Sequence, residues 1–141
     1  MYVQDLMTPA ARVRTLTKDT PLREAALCMR KEDTGVIPVN DGDKLVGMVT
    51  DRDITIRGLA EGKDADTPLS EIMTGEVLYC YADAECQDVV ANMDRTGVRR
   101  MPVVDREKNF QGMVTLTDLS KDAPGTVGEA LADIHGQPAQ V

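Results

Sequence analysis

The sequence predicts a mixed α/β fold built from two similar halves, and three observations support this prediction. Hydrophobic residues make up 42% and charged residues 28% of the 141 residues, which is the composition of an ordinary globular protein. The chain aligns with itself at a shift of 64 to 66 residues. Each copy contains one stretch with the apolar periodicity of a helix, followed by two short β-branched stretches. The order in each copy is therefore strand, helix, strand, strand, helix.

The internal repeat consists of matched residues along the full length of both copies. The matches include Met7-Thr8 with Met73-Thr74, Asp19 with Asp83, Met29 with Met93, Pro38-Val39 with Pro102-Val103, Gly47-Met48-Val49-Thr50 with Gly112-Met113-Val114-Thr115, and Asp53 with Asp118. Two copies are too few for a solenoid, and a copy of about 55 residues is marginal as an independent domain. We therefore expect two βαββα halves that pack through their sheets.

The repeat also sets the expected domain boundaries. The first copy covers residues 3–61, a polar linker covers 62–68, and the second copy covers 69–121. A C-terminal tail covers 122–141, with a short helix expected at 126–134 and with His135, the only histidine of the chain.

The elements of each copy follow from local signals. A helical turn ends at each Met-Thr pair, and a short extended segment follows at 13–16 or 77–80. Thr20 is the predicted N-cap of the next helix and Pro21 its first residue, with Asp83 or Ala84 at the matching place. The predicted buried stripes contain Leu22, Ala25, Ala26 and Met29 in the first copy, and Cys86, Val89, Val90 and Met93 in the second. Hairpins are predicted for 36–39 with 45–50 and for 101–104 with 110–115, and closing helices begin at Asp51 and Leu116.

Composition excludes several classes of function. The formal charge of −8 disfavours nucleic-acid binding, which needs a basic face. No apolar run reaches the length of a membrane span, and the N-terminus lacks the pattern of a signal peptide, so we expect a cytoplasmic protein. One histidine and three cysteines without CxxC spacing indicate no metal site. Catalysis is not expected, because nucleophile and phosphate-loop motifs are absent from the sequence.

The order of elements, the Pro-Val strand and the Gly-Met-Val-Thr-x-x-Asp ending, present in both copies, resemble the CBS domain, named after cystathionine β-synthase. The resemblance covers nearly all of residues 3–121 and is greatest to small bacterial stand-alone CBS-pair proteins. It implies a tandem CBS pair that acts in signal transduction as a regulatory or sensor module. It further implies an adenosine-containing ligand, such as AMP, ADP or ATP, in clefts between the two motifs. This nucleotide is a regulatory ligand, and no other cofactor is expected.

The Thr-x-x-Asp pairs, Thr50 with Asp53 and Thr115 with Asp118, have two interpretations. Each pair follows a strand and opens a helix, where a hydroxyl and a carboxylate form a capping box that stabilises the helix start. A carboxylate at this place also suits the two hydroxyls of a ribose, and the resemblance assigns the aspartate to that role.

The resemblance implies that basic residues before the strand proline, Arg99 and Arg100, reach the nucleotide phosphates. Arginine suits this role because its planar guanidinium binds phosphate oxygens in pairs; the alternative is two solvated side chains. Gly35-Val36 occupies the matching place in the first copy, so the two sites are expected to differ, with the first one empty or holding an uncharged adenosyl ligand. Arg52 is expected to be exposed to solvent; the alternative is that it turns inward and partly supplies the missing charge. The adenine slots implied are Val13, Val36, Ile37 and Pro38 in the first copy, and Val77, Met101 and Pro102 in the second; the alternative is plain core.

The partners follow from the same reasoning. A homodimer is expected, because the apolar helix stripes resemble the surfaces through which two CBS pairs of the family associate. The sequence does not identify the regulated protein. The alternative function is a CBS-fold interaction or scaffold protein that no longer binds nucleotide. A small nucleotide-processing enzyme is a third and disfavoured class. Cys28, Cys80 and Cys86 are interpreted as core residues, with a redox role as the alternative.

Overall fold

The computed structural model describes residues 1–121, which form two compact units. Unit 1 contains residues 1–13 and the described residues from 78 onward, and unit 2 contains residues 14–77. Each unit therefore combines the helix and hairpin of one repeat with the opening segment of the other. The tail at 122–141, with its expected helix at 126–134 and His135, lies outside the described residues.

The helices and strands follow the predicted order in each repeat. In chain order they are α1 (Val3–Leu6), β1 (Thr8–Pro9), β2 (Leu16–Thr17), α2 (Leu22–Glu32), β3 (Val36–Asp41), β4 (Lys44–Thr50), α3 (Asp51–Asp53), β5 (Cys80–Tyr81), α4 (Cys86–Thr96), β6 (Arg100–Val104), β7 (Phe110–Thr115) and α5 (Leu116–Leu119). Short 3₁₀ turns lie at Ala10–Arg12 and Leu69–Glu71, and a π-helical turn at Ile54–Leu59 continues α3. The mixed α/β fold with two βαββα repeats is confirmed. Within residues 1–121, no helix is long and apolar enough to cross a membrane.

Each unit has one sheet built around a hairpin. In unit 2 the strand order is β2-β3-β4, with β2 parallel and β4 antiparallel to β3. In unit 1 the order is β1-β7-β6-β5, with β5 parallel to β6 and antiparallel pairing elsewhere. Both predicted hairpins are confirmed, and both have a register shift at the same place, after Val39 and after Val103. The extended segments predicted at 13–16 and 77–80 are shorter and lie later in the chain, because the residues that pair with a neighbouring strand are Leu16–Thr17 and Cys80–Tyr81.

The opening segment of each repeat pairs with the hairpin of the other repeat. In unit 1, β1 lies antiparallel to β7, with Thr8 opposite Met113. In unit 2, Thr74 and Met48 exchange two backbone hydrogen bonds, of 3.0 and 2.9 Å. Periodicity gave no sign of this exchange, since a two-residue strand carries no detectable pattern of its own.

The main helices begin later than predicted, because backbone carbonyls satisfy their free N–H groups. The helix α2 begins at Leu22, whose N–H donates to the carbonyl of Thr67 at 2.8 Å. The Thr20 hydroxyl instead accepts from the N–H of Thr17 at 3.2 Å, so Thr20 is not the N-cap. The helix α4 begins at Cys86, whose N–H donates to the carbonyl of Met1 at 3.0 Å.

The predicted capping residue Asp83 also has another role. Its carboxylate binds Arg106 through two contacts, of 2.8 and 3.2 Å. The pair fastens the β6–β7 connection to the segment before α4, and the prediction that Asp83 or Ala84 opens the helix was wrong.

The buried stripes differ between the two helices. All four predicted residues of α4, Cys86, Val89, Val90 and Met93, are buried in the core of unit 1. In α2, Ala25 and Met29 are buried, whereas Ala26 is exposed and Cys28 takes its place. The buried face of α2 therefore differs from the predicted one in containing Cys28 and not Ala26.

The three cysteines are free and buried, which confirms their assignment to the core. Burial, with a smaller contribution from the neighbouring Cys86, raises the pKa of Cys80 to about 12. The Cys80 thiol therefore stays protonated at neutral pH, and a protonated thiol is a poor nucleophile.

Asp33→Gly is expected to stabilise the protein by about 1 kcal/mol. Asp33 ends α2 in the left-handed conformation, with φ 50°, and its repeat-equivalent Gly97 ends α4 with φ 76°. Glycine adopts this conformation without a steric penalty, and the change also removes a negative charge from a helix C-terminus. Urea unfolding measures the effect, and Gly97→Asp is the matched control, for which we expect a loss of similar size. A destabilised Asp33→Gly variant would contradict this explanation.

Candidate functional site

Both Thr-x-x-Asp pairs form the capping box. In unit 1, Asp118 Oδ2 accepts from the N–H of Thr115 at 2.9 Å, and Thr115 Oγ1 accepts from the N–H of Asp118 at 3.1 Å. In unit 2, Asp53 and Thr50 make the same two bonds at 3.0 Å each. Capping uses one oxygen of each carboxylate, so the other oxygen decides whether a ligand can be accepted.

The second carboxylate oxygen has different surroundings in the two units. Asp118 is half-buried, and its Oδ1 has neither a hydrogen-bond partner nor a cation within residues 1–121. Asp53 is nearly enclosed, with a side chain 10% exposed, and its Oδ1 lies 3.8 Å from Nε of Arg57. Asp118 therefore has a free acceptor, whereas the acceptor of Asp53 faces a cation.

The two arginines of the second repeat lie beside this capping box. Arg100 pairs with Thr115 across the β6–β7 ladder, and the carbonyl of Arg99 accepts from the N–H of Leu116 at 2.8 Å. Both arginines are exposed, and neither makes a salt bridge within the described part of the chain. The strand register thus brings Arg99, Arg100, Thr115 and Asp118 together at one end of the unit 1 hairpin.

The matching place in unit 2 carries the opposite charge. The carbonyl of Gly35 accepts from the N–H of Asp51 at 2.9 Å, as Arg99 does from Leu116. A Cβ atom on Gly35 would lie 2.9 Å from Oδ2 of Asp51, so the carboxylate of Asp51 rests against this glycine. Arg52 is exposed, as expected. The first repeat therefore has an acid where the second repeat has two bases.

The residues predicted to form adenine slots are divided between the units. Val36, Ile37 and Pro38 lie in unit 2 with Thr50 and Asp53, whereas Val13 belongs to unit 1. Met101 and Pro102 lie in unit 1 with Thr115 and Asp118, whereas Val77 belongs to unit 2. Ile37, Pro38, Met101 and Pro102 are buried, and Val13, Val36 and Val77 are half-buried. Ile37 and Met101 are members of the two cores, so the alternative assignment to core holds for both.

Sequence reasoning missed Arg57 and Asp51. The i, i+4 spacing from Asp53 to Arg57 was the available signal, because residues at this spacing are neighbours on a helix surface. The place of Asp51 against Gly35 had no comparable signal, since it depends on the turn from β4 into α3.

Within residues 1–121, no group of three or more His, Cys, Asp or Glu residues could hold a metal ion.

Comparison with known proteins gives the family. Residues 3–58 and 69–124 each match the CBS domain. The CBS domain-containing protein YhcV of Bacillus subtilis is 36% identical over 137 residues, covering 96% of each chain. Hypoxic response protein 1 of Mycobacterium tuberculosis is 37% identical, covering 86% of this chain and 84% of its own.

Solved structures agree with this assignment. The crystal structure of Hypoxic Response Protein I with two coordinated zinc ions is 35% identical and has a TM-score of 0.75, covering 88% of this chain and 100% of its own. The crystal structure of CBSX2 in complex with AMP is 25% identical and has a TM-score of 0.76, covering 87% of this chain and 96% of its own. The chain, with its two matched repeats, belongs to the CBS domain family.

Proposed function

We propose that this protein is a regulatory, non-catalytic module that binds an adenosine-containing ligand, with the better site in the second repeat. The observation that carries the proposal is that, within residues 1–121, Oδ1 of Asp118 has no partner and the two arginines beside its capping box make no salt bridge. Asp118 accepts the ribose hydroxyls, and Arg99 and Arg100 contact a phosphate. The complex of the CBS relative CBSX2 with AMP supports this choice of ligand class.

The thermodynamic logic is that of a sensor. A ligand shifts an equilibrium between two states by no more than its differential affinity for them. The regulatory effect of the module therefore depends on how ligand occupancy changes its binding to a regulated protein. We also propose that the protein is cytoplasmic.

Thermal unfolding with AMP, ADP, ATP, S-adenosylmethionine and NAD tests the ligand class. A ligand present at 100 times its dissociation constant stabilises the native state by about 2.7 kcal/mol. AMP is expected to raise the melting temperature, and prolonged incubation is expected to leave the nucleotide intact. If none of the five compounds changes the melting temperature, the alternative of a CBS-fold interaction protein is favoured. Turnover of the nucleotide by the pure protein would instead indicate an enzyme.

Arg100→Ala is expected to weaken AMP binding by about tenfold and to leave adenosine binding unchanged. The reason is that the change removes a charge-assisted contact with the phosphate alone, worth about 1.5 kcal/mol or more. Isothermal titration calorimetry with both ligands measures the difference. Arg95→Ala is the control, because Arg95 is exposed in the same unit and its side chain contacts Asn92 instead. Equal losses for AMP and adenosine would show that Arg100 has no phosphate-specific role.

The proposal includes a homodimer, but the helix stripes are not its surface. Apart from the exposed Ala26, the residues of those stripes lie in, or pack against, the cores of the two units. Exposed apolar side chains of unit 2 are the better candidates: Leu27 on α2, and Ile56 and Leu59 on the π-helical turn, which are 41%, 47% and 74% exposed. The turn packs closely on α2, since a Cβ on Gly58 would lie 2.6 Å from Leu22.

Sedimentation equilibrium tests the dimer. We expect twice the chain mass of 15.4 kDa at micromolar concentration, and Leu59→Glu is expected to shift the protein toward monomer, because it places a charge in an apolar contact. A wild type that sediments as a monomer at this concentration would refute the dimer.

A further inference from the structure

We propose that Arg57 makes the first repeat the weaker of the two ribose acceptors, by holding the free oxygen of Asp53 in an ion pair. The inference rests on the proposed adenosine-binding function and assigns the order in which the two repeats are filled. The second repeat binds first, and binding in the first repeat competes with the Arg57 contact for the same oxygen of Asp53.

The geometry places Arg57 between two acceptors of unit 2. Its Nε lies 3.8 Å from Asp53 Oδ1, and its Nη1 donates to the carbonyl of Met73 at 3.3 Å. The second contact restricts the long side chain to a position beside Asp53. The pair is asymmetric, because the Asp53 side chain is 10% exposed and that of Arg57 is 54% exposed.

The second repeat provides the comparison. Asp118 makes the same capping bonds as Asp53, yet no cation lies within salt-bridge distance of it in the described part of the chain. The 65-residue shift that matches Asp53 with Asp118 also matches Arg57 with Asp122, an acidic residue. The two aspartates therefore share the same capping bonds, and of the two only Asp53 has a described cation near its second oxygen.

The consequence for binding follows from competition for one oxygen. A ribose hydroxyl that donates to Asp53 Oδ1 must displace the guanidinium or share the oxygen with it. An exposed ion pair contributes up to about 1 kcal/mol, which corresponds to about a fivefold change in affinity. Arg57 thus makes the affinity of the first repeat for the ligand modestly lower than it would otherwise be. A difference of this size is enough for one ligand to fill the two sites in order.

Calorimetric titration with AMP in an Asp118→Ala background isolates the first repeat. Arg57→Gln in this background is expected to tighten AMP binding by about fivefold relative to Asp118→Ala alone. Adding Asp53→Asn should remove the gain, which identifies Asp53 as the acceptor. Arg52→Gln is the matched control, because it removes the same charge from the adjoining exposed helix position and is expected to leave affinity unchanged.

The possible results separate this inference from the proposed function. Unchanged or weaker binding in Arg57→Gln overturns the inference, and weaker binding would identify Arg57 as a ligand contact. An equal gain in Arg52→Gln also overturns it, because the effect would then be one of net charge. If the wild type binds no AMP but the single Arg57→Gln variant does, the effect of Arg57 on Asp53 stands, but the proposed order of filling and the assignment of the better site to the second repeat both fail. Absence of binding in every variant overturns both.

Discussion

Gly112→Ala is expected to reduce the free energy of unfolding by about 3 kcal/mol, at the upper end of the usual cost of overpacking. A Cβ on Gly112 would collide with the backbone carbonyl oxygen of Thr8. Relief requires β1 to move away from β7, with loss of the pairing between Thr8 and Met113. Urea unfolding followed by circular dichroism measures the change.

Two other glycines calibrate this effect. Gly47 is the repeat-equivalent of Gly112, and a Cβ there would lie 2.8 Å from the carbonyl oxygen of Thr74, so Gly47→Ala should cost less than Gly112→Ala. A Cβ on Gly75 would meet nothing within 4 Å, and Gly75→Ala should leave stability within about 0.5 kcal/mol of the wild type. A Gly112→Ala variant as stable as Gly75→Ala would show that the β1–β7 pairing adjusts freely.

Asp118→Ala is expected to weaken AMP binding by about ten- to a hundredfold, since it removes charge-assisted hydrogen bonds of roughly 1.5–3 kcal/mol each. It should also lower stability by about 1 kcal/mol, because the capping box is lost. Calorimetry with AMP and melting curves on the same preparations separate the two effects.

Asp53→Ala is the matched control for Asp118→Ala. It removes the equivalent capping box in unit 2 and is expected to lower stability similarly. AMP affinity should change little, because Asp53 already faces Arg57. A stability loss in Asp118→Ala without loss of affinity would show that Asp118 serves as a helix cap alone.

Two features of the sequence carried most of the fold prediction. The hairpins were predictable because their strands are short apolar stretches that contain β-branched residues. The register places Pro38 opposite Met48 and Pro102 opposite Met113. The closing helices begin at Asp51 and Leu116 as predicted, since threonine followed three residues later by aspartate is a local capping signal. Signals of this kind act within a few residues and survive in the sequence.

The helix starts and the exchange of opening segments were not predictable in this way. Thr20 is an excellent N-cap by residue type, yet the carbonyl of Thr67 binds the first free N–H of α2. The partner lies more than forty residues away, and any residue supplies a carbonyl, so side-chain identity gives no indication of the contact. For the same reason β1 was not expected to pair with β7.

For the candidate site, the sequence by itself determined which chemical groups are present and that the Thr-x-x-Asp pair occurs twice. It also determined that arginines precede the proline of the strand in the second copy alone. Only the tertiary structure decided which of these groups have a free atom. Asp53 and Asp118 occupy identical motifs, but Arg57 lies 3.8 Å from the first and no described cation lies comparably close to the second. The physical reason is that a motif fixes the backbone and its local hydrogen bonds, whereas the electrostatic surroundings of a carboxylate are set by whichever side chains folding brings within a few ångströms.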